Sequence, residues 1–256
     1  MNPRELAKRV LPPIIVDACR RVLRRSSSGQ ANTFTYNQDG LSTIHNADFL
    51  QHPRFKAAYK LAEDNAAFRG APIHWRVYVA CWCAQQAIRL EGDFVECGVY
   101  RGGLSRAIIE YVDFARTGKQ FYLLDTYEGL VEKYISPEEK RAGVVPGGYE
   151  PSYEFVVEAF RPFPSVHVIK GPVPETLSQV STEKVSYLSL DMNCSQPEVA
   201  AAEFFWPKLV AGGMILLDDY AYCGHPLSKK GMDEFANRKG VQILSLPTGQ
   251  GLIIKL

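Results

Sequence analysis

Short apolar segments alternate along the chain with longer segments in which apolar residues recur at helical spacing. The short segments predict buried strands at residues 94–99, 120–125, 166–170, 185–191 and 214–219. The longer ones predict helices at residues 104–114, 196–209 and 227–238. We expect the second of these helices to be stopped by Gly212 and Gly213. This alternation is typical of an α/β fold with a largely parallel sheet.

The regions on either side of this alternation add further elements. Residues 53–67 and 75–90 predict two helices before the first buried strand. Residues 241–246 and 252–256 predict two closing strands, and the short connection between them implies an antiparallel hairpin. Residues 131–165 are rich in proline and glycine and have no core strand, although a helix is expected near residues 153–160. Such an insertion is favoured as a lid or binding loop, with a passive surface insertion as the alternative.

The first 25 residues form a basic segment with apolar positions at roughly helical spacing. It can lie on an anionic membrane surface, or it can pack on its own domain or on a partner subunit. We divide the chain into an arm and linker (1–30), a helical cap region (31–92) and a core (93–256). No apolar run approaches the roughly 20 residues of a membrane span, and no signal peptide is evident. A cytoplasmic chain is therefore expected, with contact to the inner face of the membrane left open.

Composition narrows the class of partner. The hydrophobic fraction is 46% and the formal net charge is +1, which gives no global electrostatic reason to bind nucleic acid. The six cysteines contain no C-x-x-C pair, and this usage favours buried free thiols in a reducing compartment. We expect a small-molecule or saccharide partner, and the sequence leaves a homo-oligomer open.

The segment at residues 92–105 is the clearest candidate for ligand binding. It combines a strand, a glycine turn and a helix start, and glycine lets a ligand come close to the backbone. Glu96 stands where a dinucleotide fingerprint would need glycine, and its charge would repel a pyrophosphate. An acidic residue suits a ligand with cationic groups, so we predict S-adenosylmethionine as the cofactor. The predicted contacts from this segment are Glu96, Gly98, Tyr100, Gly102 and Ser105.

Four of the predicted strands end on, or just past, acidic residues: Glu96, Asp125, Asp191 and the Asp218-Asp219 pair. The carboxyl ends of parallel strands meet at one edge of a sheet, where ligands bind. Asp125 and the following Thr126 are predicted to contact the cofactor, with Asp125 on the ribose hydroxyls. Asp191, Asp218 and Asp219 offer hard oxygen ligands, which predicts Mg²⁺, Mn²⁺ or Ca²⁺. The closest basic residues after this pair in sequence are Lys229 and Lys230, too far to neutralise it locally.

Three motifs in this order resemble the macrocin O-methyltransferase (TylF/MycF-type) family. They are VECGVYRGG at residues 95–103, DTYEGL at residues 125–130 and GGMILLDDY at residues 212–220. The likeness covers about residues 73–256. It implies a Rossmann-like class I methyltransferase fold with a seven-stranded sheet, dependence on S-adenosylmethionine and Mg²⁺, and methylation of sugar hydroxyls. It further implies that Glu96, Gly98 and Asp125 contact the cofactor, that Asp191, Asp218 and Asp219 hold the metal, and that Asp191 is the general base.

One segment departs from the family pattern. Asp191 is followed by Met-Asn-Cys-Ser-Gln-Pro, where the family has roughly Asp-Gly-Asp-Leu-Tyr-Glu-Ser. The acceptor therefore stays open between an antibiotic sugar, a bacterial surface polysaccharide, a glycolipid and another metabolite. His225, expected at the same edge, is a second candidate for proton transfer or acceptor contact, with a structural role as the alternative.

Two other functions remain in view. A nicotinamide-dependent oxidoreductase could use a similar sheet, but Glu96 and the closing hairpin argue against it. A non-catalytic interaction module could keep the fold, but the full set of acids at the sheet edge argues against that.

Overall fold

The computed structural model describes residues 33–65, 67–68 and 70–256. Residues 33–37 and 42–47 belong to one compact unit, and residues 38–41 and 48–256 belong to a second. The predicted arm at residues 1–25 and the linker after it lie outside the described residues. The domain boundaries, the membrane contact and the oligomeric state therefore stay predictions. No helix in the described part of the chain is long and apolar enough to cross a bilayer.

The elements follow the chain in this order: β1 (Tyr36–Gln38), β2 (Leu41–Thr43), a 3-10 turn (Asp48–Gln51), α1 (Pro53–Asp64), α2 (His74–Ala87), β3 (Asp93–Cys97), α3 (Gly103–Val112), β4 (Phe121–Asp125), α4 (Pro137–Arg141), α5 (Tyr153–Phe160), β5 (Val166–Lys170), β6 (Val185–Leu190), α6 (Ser195–Phe205), β7 (Leu209–Leu217), α7 (Pro226–Lys239), β8 (Leu244–Ser245) and β9 (Gly251–Ile254). Short 3-10 turns lie between some of them.

Within the described residues, seven strands form one sheet in the order β5-β4-β3-β6-β7-β9-β8. Strands β3 to β7 pair in parallel, while β9 runs antiparallel to both β7 and β8. The predicted parallel sheet and its closing hairpin are confirmed. The chain leaves β3 first toward β4 and later returns to β6 on the other side. A cleft forms where the strand order reverses in this way, at the carboxyl ends of the strands.

Helices cover the two faces of the sheet. On one face, Phe205 of α6 and Phe235 of α7 are fully buried in a cluster with the inward side chains of β6 and β7. On the other face, Ile108 of α3 and Phe160 of α5 join Ala84 of α2. All residues of β6 are buried, as expected for a central parallel strand covered on both sides. These layers bury the strands on both faces and position their carboxyl ends at the cleft.

Four of the five cysteines in the described residues are buried and unpaired, as the composition predicted, and Cys223 is exposed. Burial raises the pKa of the Cys83 thiol to about 12. These thiols act as small apolar side chains in the packing.

The prediction was wrong at one helix–strand boundary. The helix expected at residues 196–209 ends at Phe205, and β7 starts at Leu209 and runs through Gly212 and Gly213. Gly212 takes a φ of +78°, and the pairing of β6 with β7 shifts register near it, from Val185 opposite Leu209 to Tyr187 opposite Met214. The glycines therefore form a bulge inside a strand instead of ending a helix. The strand expected at residues 241–246 is also shorter and contains Leu244–Ser245 alone.

Candidate functional site

A cavity of about 290 Å³ opens at the carboxyl ends of β3, β4 and β6. Its wall contains Glu96, Gly98, Asp125, Asp191 and Asp218. Tyr100 and Thr126 line it as well, so seven residues that the sequence predicted for a site, drawn from four strand ends, share one cleft. This is the position at which open α/β sheets bind their ligands.

The turn after β3 is shaped by close contact with the neighbouring strand end. Gly98 has a φ of +89°, and a Cβ placed there would lie 1.8 Å from the carbonyl oxygen of Asp191. Gly102, the N-cap residue just before α3, has a φ of +75°, and a Cβ placed there would lie 2.4 Å from Cε2 of Phe160. The packing of the chain itself thus requires glycine at both positions, in addition to the ligand contact predicted for them. The turn also brings backbone N–H groups at the start of α3 to the cavity edge.

Asp125 fixes this turn from the end of β4. Its Oδ2 accepts hydrogen bonds from the backbone N–H groups of Val99 at 2.6 Å and Tyr100 at 2.7 Å. Its Oδ1 accepts one from Tyr127 N–H at 2.8 Å. Thr126, beside it, donates its hydroxyl to the Gly129 carbonyl at 2.7 Å. Asp125 therefore links two loops of the cavity wall as well as lining it.

Glu96 is a buried acid with its side chain at the base of the cavity. It is 2% exposed, and its carboxylate accepts a hydrogen bond from the Ser105 hydroxyl. Burial raises the pKa of Glu96 to about 8, and the nearby charges of Asp125 and Asp218 add to the rise. A cationic ligand group would stabilise the ionised form of such a carboxyl. This agrees with the cofactor chemistry that the sequence predicted for Glu96.

The structure brings the three predicted metal-ligating aspartates together. Burial raises the pKa of Asp191 well above its ordinary value, and the charges of Asp218 and Asp219 raise it further. Burial, followed by the charge of Asp218, raises the pKa of Asp219 to about 7. A further buried acid that the sequence analysis did not select, Glu198, has a pKa raised to about 8 by burial and by Asp219. In the ligand-free chain Asp191, Asp219 and Glu198 therefore hold protons more readily than exposed acids do.

A buried arginine, which the sequence analysis missed, lies among these acids. Arg76 of α2 donates from Nη1 to Asp218 Oδ2 at 2.7 Å and from Nε to Asp39 Oδ2 at 2.8 Å. The same Nη1 lies 3.9 Å from Asp219 Oδ1. The expectation concerned basic residues near the aspartates in sequence, whereas this positive charge comes from a helix far away in sequence. The signal available in sequence was a single arginine in a helix that has no other Lys, Arg, Asp or Glu.

The donor atoms for a cation are present, but they are not arranged as a finished metal site. In the described part of the chain, no group of three or more His, Cys, Asp or Glu side chains is arranged to hold a metal ion. Asp219 Oδ2 is nevertheless buried without a hydrogen bond, and His225 Nε2 lies 4.0 Å from it. Burial lowers the pKa of His225, which favours its neutral form. The hard oxygens and the unbonded Asp219 oxygen fit a divalent cation in chemistry.

The insertion at residues 131–165 supplies part of the cavity wall through Tyr134 and Tyr149. It contains α4, the predicted helix α5, and a bridge in which Leu130 and Gly147 exchange backbone hydrogen bonds. Glu139 of α4 caps its own helix at Ser136 N–H, 2.8 Å away, and also accepts a hydrogen bond from Ser195 N–H at 2.8 Å. The insertion is thereby tied to the segment after Asp191, where the sequence departs from the family pattern.

Comparison with known proteins supports the resemblance seen in the motifs. A family model described as macrocin-O-methyltransferase (TylF) matches residues 80–244. A Streptomyces olivaceus protein, 8-demethyl-8-(2,3-dimethoxy-alpha-L-rhamnosyl)-tetracenomycin-C 4'-O-methyltransferase, is 28% identical over 141 residues, which cover 51% of this chain and 53% of that protein. The demethyldecarbamoylnovobiocin O-methyltransferase of Streptomyces niveus is 25% identical over 166 residues, covering 60% of this chain and 62% of that protein. The matches thus span between half and two thirds of these relatives.

Solved structures show the same fold. The O-methyltransferase NovP superimposes with a TM-score of 0.58 at 22% identity, covering 70% of this chain and 79% of NovP. The calicheamicin methyltransferase CalS11 gives a TM-score of 0.55 at 14% identity, covering 82% of this chain and 94% of CalS11. With the sheet order described above, these similarities confirm the predicted Rossmann-like class I methyltransferase fold.

Proposed function

This chain belongs to the macrocin O-methyltransferase family, and from that premise we propose that it transfers the methyl group of S-adenosylmethionine to a hydroxyl group of a sugar or glycosylated metabolite. The observation that carries the proposal is the cavity at the strand ends. The residues predicted for cofactor and metal lie inside the span that matches the family, residues 80–244. The Streptomyces olivaceus relative, named for a rhamnosyl-bearing acceptor, supports a sugar hydroxyl.

The cofactor is proposed to lie against the turn after β3. Glu96 would meet its positively charged part, since ionised carboxylates pair with ammonium groups in a site shielded from water. Gly98 and Gly102 keep the turn open to it, Ser105 orients Glu96, and Asp125 holds Tyr100 and faces the ribose. Thr126 completes the wall at the loop after β4. S-adenosylmethionine supplies an activated methyl group on a sulfonium.

Asp191 is proposed to accept the proton of the acceptor hydroxyl, whose oxygen would take the methyl group that bound S-adenosylmethionine would supply, with the electron pair of the carbon–sulfur bond left on sulfur. Burial raises the pKa of Asp191, so its ionised form is a stronger base than an exposed aspartate. The positive charge of the cofactor favours that ionised form. Most of the acceleration is expected from the positioning of the two reactants. His225 beside Asp219 is a second candidate for proton transfer.

A divalent cation, Mg²⁺ or Mn²⁺, is proposed as a second requirement. Asp191, Asp218 and Asp219 would hold it, and the buried, unbonded Asp219 Oδ2 supports this assignment. When bound, such a cation would lower the pKa of the acceptor hydroxyl, as it does for water.

The test compares cofactors and then acceptors. Calorimetry should show that the chain binds S-adenosylmethionine and does not bind NAD⁺, and Glu96→Gln should weaken the binding. A panel of glycosides incubated with the chain and S-adenosylmethionine should then release S-adenosylhomocysteine with at least one sugar acceptor. Binding of NAD⁺ with no binding of S-adenosylmethionine would favour the oxidoreductase. Binding of S-adenosylmethionine with no transfer to any hydroxyl would favour the non-catalytic module.

A further inference from the structure

Arg76 places a permanent positive charge inside the acid cluster. Its side chain is 10% exposed, and an arginine guanidinium stays ionised throughout the physiological pH range. Asp218 accepts from it at 2.7 Å, Asp39 accepts at 2.8 Å and Asp219 lies 3.9 Å away. One guanidinium is thus shared among three carboxylates, two of which are proposed metal ligands.

Both carboxylate oxygens of Asp218 are already engaged. Oδ2 accepts from Arg76, and Oδ1 accepts from Nε2 of Gln250 at 2.9 Å. Gln250 is fully buried, and its own Oε1 accepts from the Thr248 hydroxyl at 3.0 Å. Asp218 is therefore held in place by two buried partners that are themselves fixed.

Arg76 also contacts Tyr222 and Asp39. Its guanidinium lies over the ring of Tyr222, 4.8 Å from the ring centre, and Asp39 receives both its Nε and its Nη2, the latter at 3.4 Å. Asp39 would keep the guanidinium paired if Asp218 were withdrawn from it. The guanidinium therefore keeps Asp39 and Tyr222 as partners when its contact with Asp218 is lost.

A divalent cation ligated by Asp218 would lie roughly 2.0–2.6 Å from a carboxylate oxygen, beside a guanidinium 2.7 Å from that same group. Two cations at this separation repel each other strongly in a site shielded from water. The Arg76–Asp218 ion pair and a cation–Asp218 bond thus oppose each other. This opposition also accounts for acids that lie together without forming a finished metal site.

We propose that Arg76 is a built-in competitor of the divalent cation: it holds Asp218 in the cation-free chain, and a cation that binds there must take Asp218 from it. The inference rests on the cation site of the proposed function and deepens it. Arg76 then sets how much free Mg²⁺ or Mn²⁺ the site needs before it fills. Asp39, which already accepts from Arg76, keeps the guanidinium paired when Asp218 turns to the cation.

The test measures the affinity of the full chain for Mn²⁺. Electron paramagnetic resonance detects the free Mn²⁺, and calorimetry gives the affinity independently. Arg76→Gln should bind Mn²⁺ at least about tenfold more tightly than the unmodified chain, and Arg76→Lys, which cannot bridge two carboxylates as a fork, should fall between them. The matched control is Arg116→Gln, which removes the same charge from an arginine whose side chain is 84% exposed. It should change the affinity by less than about twofold.

The outcomes separate this proposal from the proposed function. If Arg76→Gln does not fold, Arg76→Lys decides the question, because it too should bind Mn²⁺ more tightly than the unmodified chain. A substitution that merely damaged the site would weaken Mn²⁺ binding instead. Unchanged or weaker Mn²⁺ binding by the folded variants, beside clear binding by the unmodified chain, overturns the role of Arg76 alone. Absence of Mn²⁺ binding in every variant, with S-adenosylmethionine still bound, overturns the cation site and the competitor with it.

Discussion

Asp125 Oδ2 accepts a hydrogen bond from the backbone N–H of Tyr100 at 2.7 Å. The acid that ends β4 therefore sets the shape of the turn that follows the neighbouring strand β3. A residue predicted to bind the ribose therefore also holds the loop on which the cofactor would rest. Loss of its charge should act on both.

Asp125→Asn is expected to weaken S-adenosylmethionine binding by at least about tenfold. It should also lower the free energy of unfolding by roughly 1–3 kcal/mol, the usual cost of disturbing buried hydrogen bonds to a charged group. Calorimetry and urea unfolding measure the two effects. Asp113→Asn is the matched control, because Asp113 is largely exposed and has a φ of +52° that asparagine tolerates. If Asp125→Asn binds the cofactor as well as the control does, Asp125 has no part in the site.

Gly98→Ala should damage the turn more severely than an ordinary glycine substitution. A Cβ at Gly98 would lie 1.8 Å from the Asp191 carbonyl oxygen, on a backbone with a φ of +89°. We expect a loss of more than about 3 kcal/mol in the free energy of unfolding, in the range of severe steric disruption, and loss of cofactor binding. Gly118→Ala shares the positive φ, at +71°, but meets nothing within 4 Å. It isolates the backbone strain, so equal losses in the two variants would disprove the steric explanation.

The sequence was informative where structure arises from local pattern. Buried parallel strands require continuous apolar runs, and the acids just past them fall at one edge by topology, so Asp125, Asp191 and Asp218 could be assigned to one cleft. Arg76 could not be placed there, because its contact with Asp218 joins residues 142 positions apart. The contact between Glu139 and Ser195 joins residues 56 positions apart, and it could not be predicted for the same reason.

The boundary between α6 and β7 shows a different limit. The run from Leu209 to Gly213 is compatible with a helix end and with a strand that carries a bulge. Only the pairing with β6, which places Leu209 opposite Val185, decides for the strand. Local pattern cannot supply that choice, since it depends on the partner strand.

The contribution of Glu96 to the stability of the ligand-free chain should fall as the pH rises. Burial raises the pKa of Glu96 from 4.5 to about 8, so between these values the folded chain holds a proton that the unfolded chain has lost. Stability decreases with pH wherever the folded state binds more protons, and one group contributes up to about 1.4 kcal/mol per pH unit. This contribution is fully present below pH 4.5 and is lost by about pH 8.

Urea unfolding at several pH values between 5 and 8 checks this expectation. Glu96→Gln, which cannot ionise, should reduce the slope without abolishing it, because burial also raises the pKa of Glu198 to about 8. Bound S-adenosylmethionine should reduce the slope in the unmodified chain. An equal dependence on pH in Glu96→Gln and in the unmodified chain would contradict the burial argument.

The insertion at residues 131–165 should become more ordered when the acceptor binds. Tyr134 and Tyr149 line the cavity, and Glu139 ties α4 to the segment after Asp191 through Ser195 N–H. Hydrogen exchange should show greater protection of this insertion with ligands than without, and Glu139→Gln should reduce that gain. Glu132→Gln changes an exposed charge in the same insertion and serves as the control. Equal protection in both states would leave the insertion a passive part of the wall.

Chelation tests the catalytic role assigned to the aspartates. If Asp191, Asp218 and Asp219 hold a cation that activates the acceptor, excess chelator should abolish methyl transfer and leave S-adenosylmethionine binding nearly unchanged, because the cofactor is proposed to rest on Glu96 and the turn after β3. Added Mg²⁺ or Mn²⁺ should restore transfer.

Asp191→Asn should lower turnover by roughly 10²–10⁴, the usual contribution of a general base, and should weaken Mn²⁺ binding less severely than this. Asp64→Asn, at an exposed ion pair with Lys60, should behave like the unmodified chain. Full transfer in excess chelator would exclude the cation from the reaction, and full transfer by Asp191→Asn would move the proton to His225, whose Nε2 lies 4.0 Å from Asp219.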